Sequence, residues 1–195
     1  MNRIVILDRS GSMVGIVDDT IGGFNAFVHS QKSLGGKISL YLFDDKVEEV
    51  YKDRSIGSVN ELNAMVYTPR GSTALLDAIG HVITTTTFNR DEQNTVIIIT
   101  DGHENTSVNY SNSAIKELIQ MKQNEGVTFL FMGADQDAFD EARKYGIGAD
   151  DTLSFKSPDI KDAFRAASNC VEKRYTVDNS TPLTPEPSVY AHNSA

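Results

Sequence analysis

Ile4-Val5-Ile6-Leu7-Asp8-Arg9-Ser10-Gly11-Ser12 is the stretch that decides how this chain folds. Its first four residues are continuously apolar, the pattern of a central strand covered on both faces. The next five hold a carboxylate and two hydroxyls at alternate positions, Asp8, Ser10 and Ser12. A buried strand that opens into such a loop places hard oxygen donors at the carboxyl end of a sheet. Gly11 gives the loop backbone room for a tight turn.

Working outward, the same grammar recurs. Ile21, Phe24, Phe27 and Val28 mark a helix that Gly35-Gly36 ends. Gly22-Gly23 inside it costs about 1 kcal/mol each relative to alanine, which close packing on a neighbour would explain. Ile38 to Phe43 and Val47 to Lys52 flank Asp44-Asp45-Lys46 and predict an antiparallel hairpin. Residues 53–67 predict a short helix or an irregular connection. After the loop Thr68-Pro69-Arg70-Gly71-Ser72-Thr73 comes a helical stripe, Leu75, Ala78, Ile79, Val82 and Ile83. Val96-Ile97-Ile98-Ile99 is a second wholly apolar strand, and it too runs into a carboxylate, Asp101. Ile115, Leu118 and Ile119 mark a helix, Val127 to Met132 a strand, Phe139 and Ala142 a helix, and Thr152 to Phe155 a last short strand. Ser157-Pro158-Asp159 starts a final helix over about 159–174, with Ile160, Ala163, Phe164, Ala167 and Val171 on one face.

Strands alternating with helices predict an α/β fold: a doubly wound, mostly parallel sheet with one antiparallel edge strand and helices on both faces. One domain is expected over residues 2–175. Residues 176–195, rich in Ser, Thr, Pro and Asn towards their end, are expected to form a disordered tail. In such sheets ligands sit at the carboxyl ends of strands, where the strand order switches. Asp8 and Asp101 both fall at that end, and the Thr73 loop can reach it.

Composition narrows the function. A net charge of -9 over 195 residues, with no basic patch, disfavours nucleic-acid backbones and anionic membranes. The single cysteine, Cys170, excludes an internal disulfide and falls on a helix where a buried inert thiol is expected. No run reaches membrane-spanning length, and no basic segment with a long apolar one precedes the first strand. The expectation is a soluble cytoplasmic protein.

Asp8-x-Ser10-x-Ser12, then Thr73, then Asp101 in Thr100-Asp101-Gly102 resembles the von Willebrand factor A domain over about residues 2–175. In that family this order of residues is the metal-ion-dependent adhesion site, or MIDAS. The resemblance implies Ser10, Ser12 and Thr73 as hydroxyl ligands, and Asp8 and Asp101 as carboxylates that bind directly or through water. It implies a non-catalytic interaction module in which the metal takes an Asp or Glu from a protein partner. It also implies intracellular assemblies, including AAA+ ATPases, as partners, and a last helix that shifts when the metal is occupied. The donor chemistry agrees independently. A set made only of oxygens suits Mg²⁺, or Mn²⁺ or Ca²⁺, rather than Zn²⁺. Three neutral hydroxyls leave the ion electrophilic.

Plainer roles exist for each residue alone. Asp8 and Ser10 could satisfy loop amides, and Thr73 could cap a helix. His103 and Glu104 are expected at the rim, Asp77 as a supporting or merely exposed charge, and Asp135 and Asp137 as a cap and a solvated face. Arg9 and Met13 are expected to face an incoming partner. The Thr84–Thr87 run suggests no chemistry. The alternative function is a metal-dependent phosphohydrolase using Asp8 and Asp101. Against it, Ser10 stands where such enzymes place a second acid, and no phosphate-binding glycine loop is present. A two-component-type receiver lacks the acidic pair and late lysine it needs.

Overall fold

A computed structural model describes residues 1–134, 138–156 and 159–180. Its strands are β1 (Asn2–Asp8), β2 (Lys37–Phe43), β3 (Val47–Ser55), β4 (Asn94–Thr100), β5 (Val127–Ala134) and β6 (Thr152–Phe155). Its helices are α1 (Val17–Gln31), α2 (Leu75–Thr85), α3 (Asn112–Asn124), α4 (Ala138–Lys144) and α5 (Ile160–Ser180). The strands form one sheet in the order β3-β2-β1-β4-β5-β6. All neighbours run parallel except the edge strand β3, which pairs antiparallel with β2.

The apolar runs are continuous because both faces are covered. Alternate residues of one strand feed two separate cores. Val5, Leu7, Ile97, Ile99, Leu130 and Met132 pack under α1 and α5 with Phe24, Phe27 and Phe164. Ile4, Ile6, Val96, Ile98, Phe129 and Phe131 pack under α2, α3 and α4 with Ile79, Ile115 and Tyr145. Each such side chain contributes about 1.5–3 kcal/mol by leaving water, which fixes the register.

Winding starts at the centre. From β1 the chain goes outward to β2 and β3, then returns across to β4 on the other side of β1. The switch in direction therefore lies between β1 and β4, whose registers pair Leu7 with Ile99. Asp8 ends β1 at that crevice, and Asp101 directly follows β4.

Several expectations shift. Residues 53–55 finish β3, and the stretch from there to 67 is the expected irregular connection, with a short 3-10 turn at Ile56–Ser58; Asn25 of α1 anchors it through two bonds to the Leu62 backbone. Helix α5 runs through Ser180, past Val171, the last core residue among those described. Asp135, Asp137, Ser157, Pro158 and residues 181–195 lie outside the described residues, so the expected cap, helix start and most of the expected tail fall there.

The glycine pair in α1 lies under α5. A methyl group on Gly23 would sit 2.5 Å from Phe164 Cδ2, held by core packing, and 3.3 Å from the Lys161 Cα in the backbone of α5. A methyl group on Gly22 would meet only the end of the Lys161 side chain, 3.2 Å away, which can turn aside while keeping its pair with Asp19. Urea denaturation should separate the two. Gly23→Ala is expected to lose about 1–3 kcal/mol by overpacking, despite better helix propensity. Gly22→Ala is expected to gain up to about 1 kcal/mol.

Candidate metal centre

Asp8 is wholly buried at the end of β1. Both of its carboxylate oxygens are engaged. The Ser10 amide donates to one at 2.6 Å, and the Thr100 hydroxyl donates to the other at 2.5 Å. The Tyr67 hydroxyl donates to the Asp8 carbonyl at 2.7 Å, which fixes the backbone where strand becomes loop. The loop then turns so that Ser10 and Ser12 bring their hydroxyls 3.0 Å apart. The Ser12 hydroxyl donates to Asp101 at 2.5 Å and closes the gap between the β1 and β4 loops.

Thr73 comes from the third loop. It is not a helix cap: α2 has Ala74 at its cap position, with no side-chain bond there. Its backbone is held by Asn105, whose side chain accepts from the Thr73 amide and whose amide donates to the Thr73 carbonyl. A methyl group built on Gly102 would lie 3.1 Å from Thr73 Oγ1 and 3.4 Å from Ser12 Oγ. The hydroxyls of Ser12 and Thr73 therefore converge over Gly102, beside Asp101. The five residues singled out from the sequence form one cluster. Asp8, Ser10 and Thr73 are buried, Asp101 is half-buried and Ser12 is exposed, so the cluster opens to solvent along Ser12 and Asp101. Among the described residues no group of three His, Cys, Asp or Glu side chains stands ready for a metal. The donors here are two carboxylates and three hydroxyls.

Gly11 departs from expectation in its reason. It has no positive φ; instead its amide reaches the Gly71 carbonyl at 3.2 Å, and a Cβ there would lie 3.3 Å from that oxygen. Glycine is needed for the close approach of two loops.

Electrostatics set the centre apart. Burial raises the Asp8 carboxyl to about 6, with the charge of Asp101 adding to the rise and bonds from Thr100 and Ser10 opposing it. Two carboxylates thus share a partly dry crevice, and the charge of one raises the other.

Four expected roles change. Arg9 does not face a partner; it is 2% exposed and reaches under the loop to Asp44 and Glu48. Alternation explains this: with Asp8 and Ser10 turned to the cluster, the side chain between them must turn away. Met13 is fully buried in the core beneath α1. Glu104 accepts the amides of Leu76, Thr106 and Ser107, so it satisfies the start of α2 and shapes the β4 loop. Asp77 accepts the amides of Val108, Asn109 and Tyr110 and holds the far end of that loop. His103 is exposed at the lip of a cavity of about 70 Å³, which Asp101 and Glu141 also line. Thr84 and Thr85 bond back to Gly80 and His81 within α2. Sequence reasoning missed Thr100, Tyr67 and Asn105. Thr100 stood next to Asp101 and could have been found; Tyr67 and Asn105 gave no local signal.

A family model described as the von Willebrand factor type A domain matches residues 4–168. The chain belongs to this family. Among solved structures it is similar to proximal thread matrix protein 1 from the mussel byssus, determined with a zinc-occupied MIDAS motif, at 16% identity and a TM-score of 0.64. That likeness covers 87% of this chain and 45% of the mussel chain, so this chain spans about half the mussel protein's length. The domain of the type V pili tip protein Mfa5 from Porphyromonas gingivalis matches at 11% identity and a TM-score of 0.65, covering 95% of this chain and 98% of that one. The manganese-loaded TRAP protein of Plasmodium vivax matches at 16% and 0.59, covering 83% and 70%. At these identities the likenesses show a common fold. No curated protein matches the chain. The expectation of a cytoplasmic protein gains no support from neighbours named for pili and byssus. No helix among the described residues is long and apolar enough to cross a membrane.

The raised Asp8 carboxyl has a pH consequence. The unfolded residue titrates near about 3.9, so the folded state takes up the proton more readily. Metal-free protein should therefore lose stability as pH rises from about 4 through 6, by of the order of 2–3 kcal/mol, relative to Asp8→Asn. Urea midpoints of both proteins in EDTA at pH 4 and 7 check this.

Proposed function

We propose that this chain is a divalent-metal-dependent protein-interaction module without catalysis. Asp8, Ser10, Ser12, Thr73 and Asp101 form its MIDAS, with Mg²⁺ as the expected ion and Mn²⁺ or Ca²⁺ as alternatives of like chemistry. The observation that carries this reading is the convergence of three loops on an all-oxygen cluster at the switch point, with Ser12 donating to Asp101 at 2.5 Å. A buried Asp8 beside a second carboxylate is also a place where a cation relieves an unfavourable charge. When bound, the ion supplies a Lewis-acidic position for an anionic oxygen.

Each residue has a distinct task in that arrangement. Thr100 and the Ser10 amide orient the Asp8 carboxylate. Tyr67 fixes the backbone behind it. Gly102, lacking a Cβ, leaves space for the hydroxyls of Thr73 and Ser12. The exposed edge along Ser12 and Asp101 is where a partner's Asp or Glu would enter. A protein partner with an exposed acidic side chain fits this chemistry. An AAA+ assembly is one such partner, and nothing in the donor set selects it over another.

The phosphohydrolase reading fares worse on the same geometry. A nucleophilic carboxylate needs a free, exposed oxygen, whereas both Asp8 oxygens accept hydrogen bonds in a buried position. Ser10, in place of a second acid, offers a hydroxyl bonded to Ser12, and a hydroxyl does not exchange a proton near neutral pH as a carboxyl does.

Calorimetric titration with Mg²⁺ and Mn²⁺ tests the assignment. Wild type is expected to bind one ion, and Asp8→Ala, Ser10→Ala and Thr73→Ala to bind at least tenfold more weakly. Equal heats from wild type and all three variants would refute it. Affinity capture in Mg²⁺ and in EDTA should retain a partner only with the metal.

A further inference from the structure

The loops of the centre are held together by a second cluster that contains none of its donors. Asp44, in the β2–β3 turn, is wholly buried. One of its oxygens accepts from Arg9 Nε at 3.2 Å and from Arg70 Nε at 2.9 Å. Arg9 Nη2 lies 3.0 Å from the same oxygen, off the hydrogen-bond direction. Its other oxygen accepts the Lys46 amide at 3.0 Å. Glu48 completes the group, 2.9 Å from Arg9 Nη1 and 3.6 Å from Arg70 Nη2. Burial alone would raise the Asp44 carboxyl, but a hydrogen bond with the neighbouring Asp45 side chain, the Lys46 amide and the two guanidiniums outweigh it and hold it below the usual range.

The backbone repeats the connection. The Arg9 amide donates to the Phe43 carbonyl at 2.7 Å, the Arg70 amide to the Arg9 carbonyl at 2.8 Å, and the Ala74 amide to the Asp44 carbonyl at 2.9 Å. Arg9 lies between Asp8 and Ser10 in the chain, and Arg70 lies three residues before Thr73. One buried carboxylate thus holds two arginines, each beside donors on a different loop.

We propose that Asp44 and its two arginines are a positioning clamp for the metal centre, setting the β1 loop and the Thr73 loop at the spacing that binds the ion. This rests on the metal reading above. Arg9 and Arg70 differ in what they can reveal. Arg9 is buried, so its loss removes one of the two guanidiniums that compensate the buried Asp44 charge and endangers folding. The Arg70 side chain is 59% exposed, so its loss opens one arm of the clamp and leaves the core intact. The planar guanidinium matters on geometric grounds, because Arg70 meets Asp44 and Glu48 together and an ammonium is a single point charge.

The test is Mn²⁺ binding by calorimetry, with the melting temperature of each metal-free protein as the folding control. Wild type is compared with Arg70→Met, Arg70→Lys and the paired neutral variant Arg9→Met/Asp44→Leu. Lys37→Met, which removes the exposed pair with Glu92, is the surface control. Arg70→Met is expected to melt within about two degrees of wild type and to bind Mn²⁺ about tenfold more weakly. Arg70→Lys should recover part of that loss, the paired variant should fold and bind worst, and Lys37→Met should match wild type. Electron paramagnetic resonance of bound Mn²⁺ should broaden in Arg70→Met, because looser loops give a spread of ligand geometries. If wild type binds Mn²⁺ and both Arg70→Met and the paired variant bind equally well with unchanged spectra, the clamp is refuted and the metal reading stands. If wild type itself binds no Mn²⁺, both fall.

Discussion

A carboxylate buried at the end of a parallel strand is the constraint on which the arrangement depends. Asp8 occupies the last position of β1, at the centre of the sheet, where neither face reaches water. Such a group is tolerated only with bonds aimed at it. Thr100 from the neighbouring strand, the Ser10 amide from its own loop and Tyr67 behind its carbonyl meet that demand. Each draws a different part of the chain towards the switch point. The loops are placed by the need to satisfy one acid.

The same need leaves a surplus of negative charge. Asp101 stands across the crevice, bonded through Ser12, and raises the energy of the charged Asp8 further. Arg9 and Arg70, on the loops that carry Asp8 and Thr73, are turned away, towards Asp44 and Glu48. The molecule thus sorts its charges into two adjoining groups. One is neutralised internally and holds loops in place. The other is acidic, rich in oxygen and open on one side. Similarity at 11–16% identity to structures from a mussel, a bacterium and a malaria parasite shows how little of the sequence this frame needs.

Much of this was legible from short-range pattern. Wholly apolar runs at Ile4–Leu7 and Val96–Ile99 announced a doubly covered sheet, and the alternation of Asp8, Ser10 and Ser12 announced a donor loop. Legibility failed where a residue's partner is distant in sequence. Arg9 looked like a solvent-facing charge because nothing nearby pairs with it; its partners lie 35 and 39 positions away. Glu104 and Asp77 looked like rim or surface charges, and are instead the acceptors that shape the β4 loop from opposite ends. Tyr67 and Asn105 were silent for the same reason.

The sequence by itself determined the class of fold and the oxygen-rich loops that end at Ser12 and begin at Asp101, because periodicity and spacing are local and survive without coordinates; that Thr73 belongs with them was implied by resemblance to the family's motif. It also determined the hard character of the donors, since residue type alone decides that. Only the tertiary structure decided that Thr73 meets Ser12 over Gly102, that Thr100 holds Asp8, and that two arginines share one buried aspartate. Those facts depend on which loops the β1–β4 switch brings together. No pattern within a loop encodes its distance to another; that distance is set by how two cores pack against one sheet.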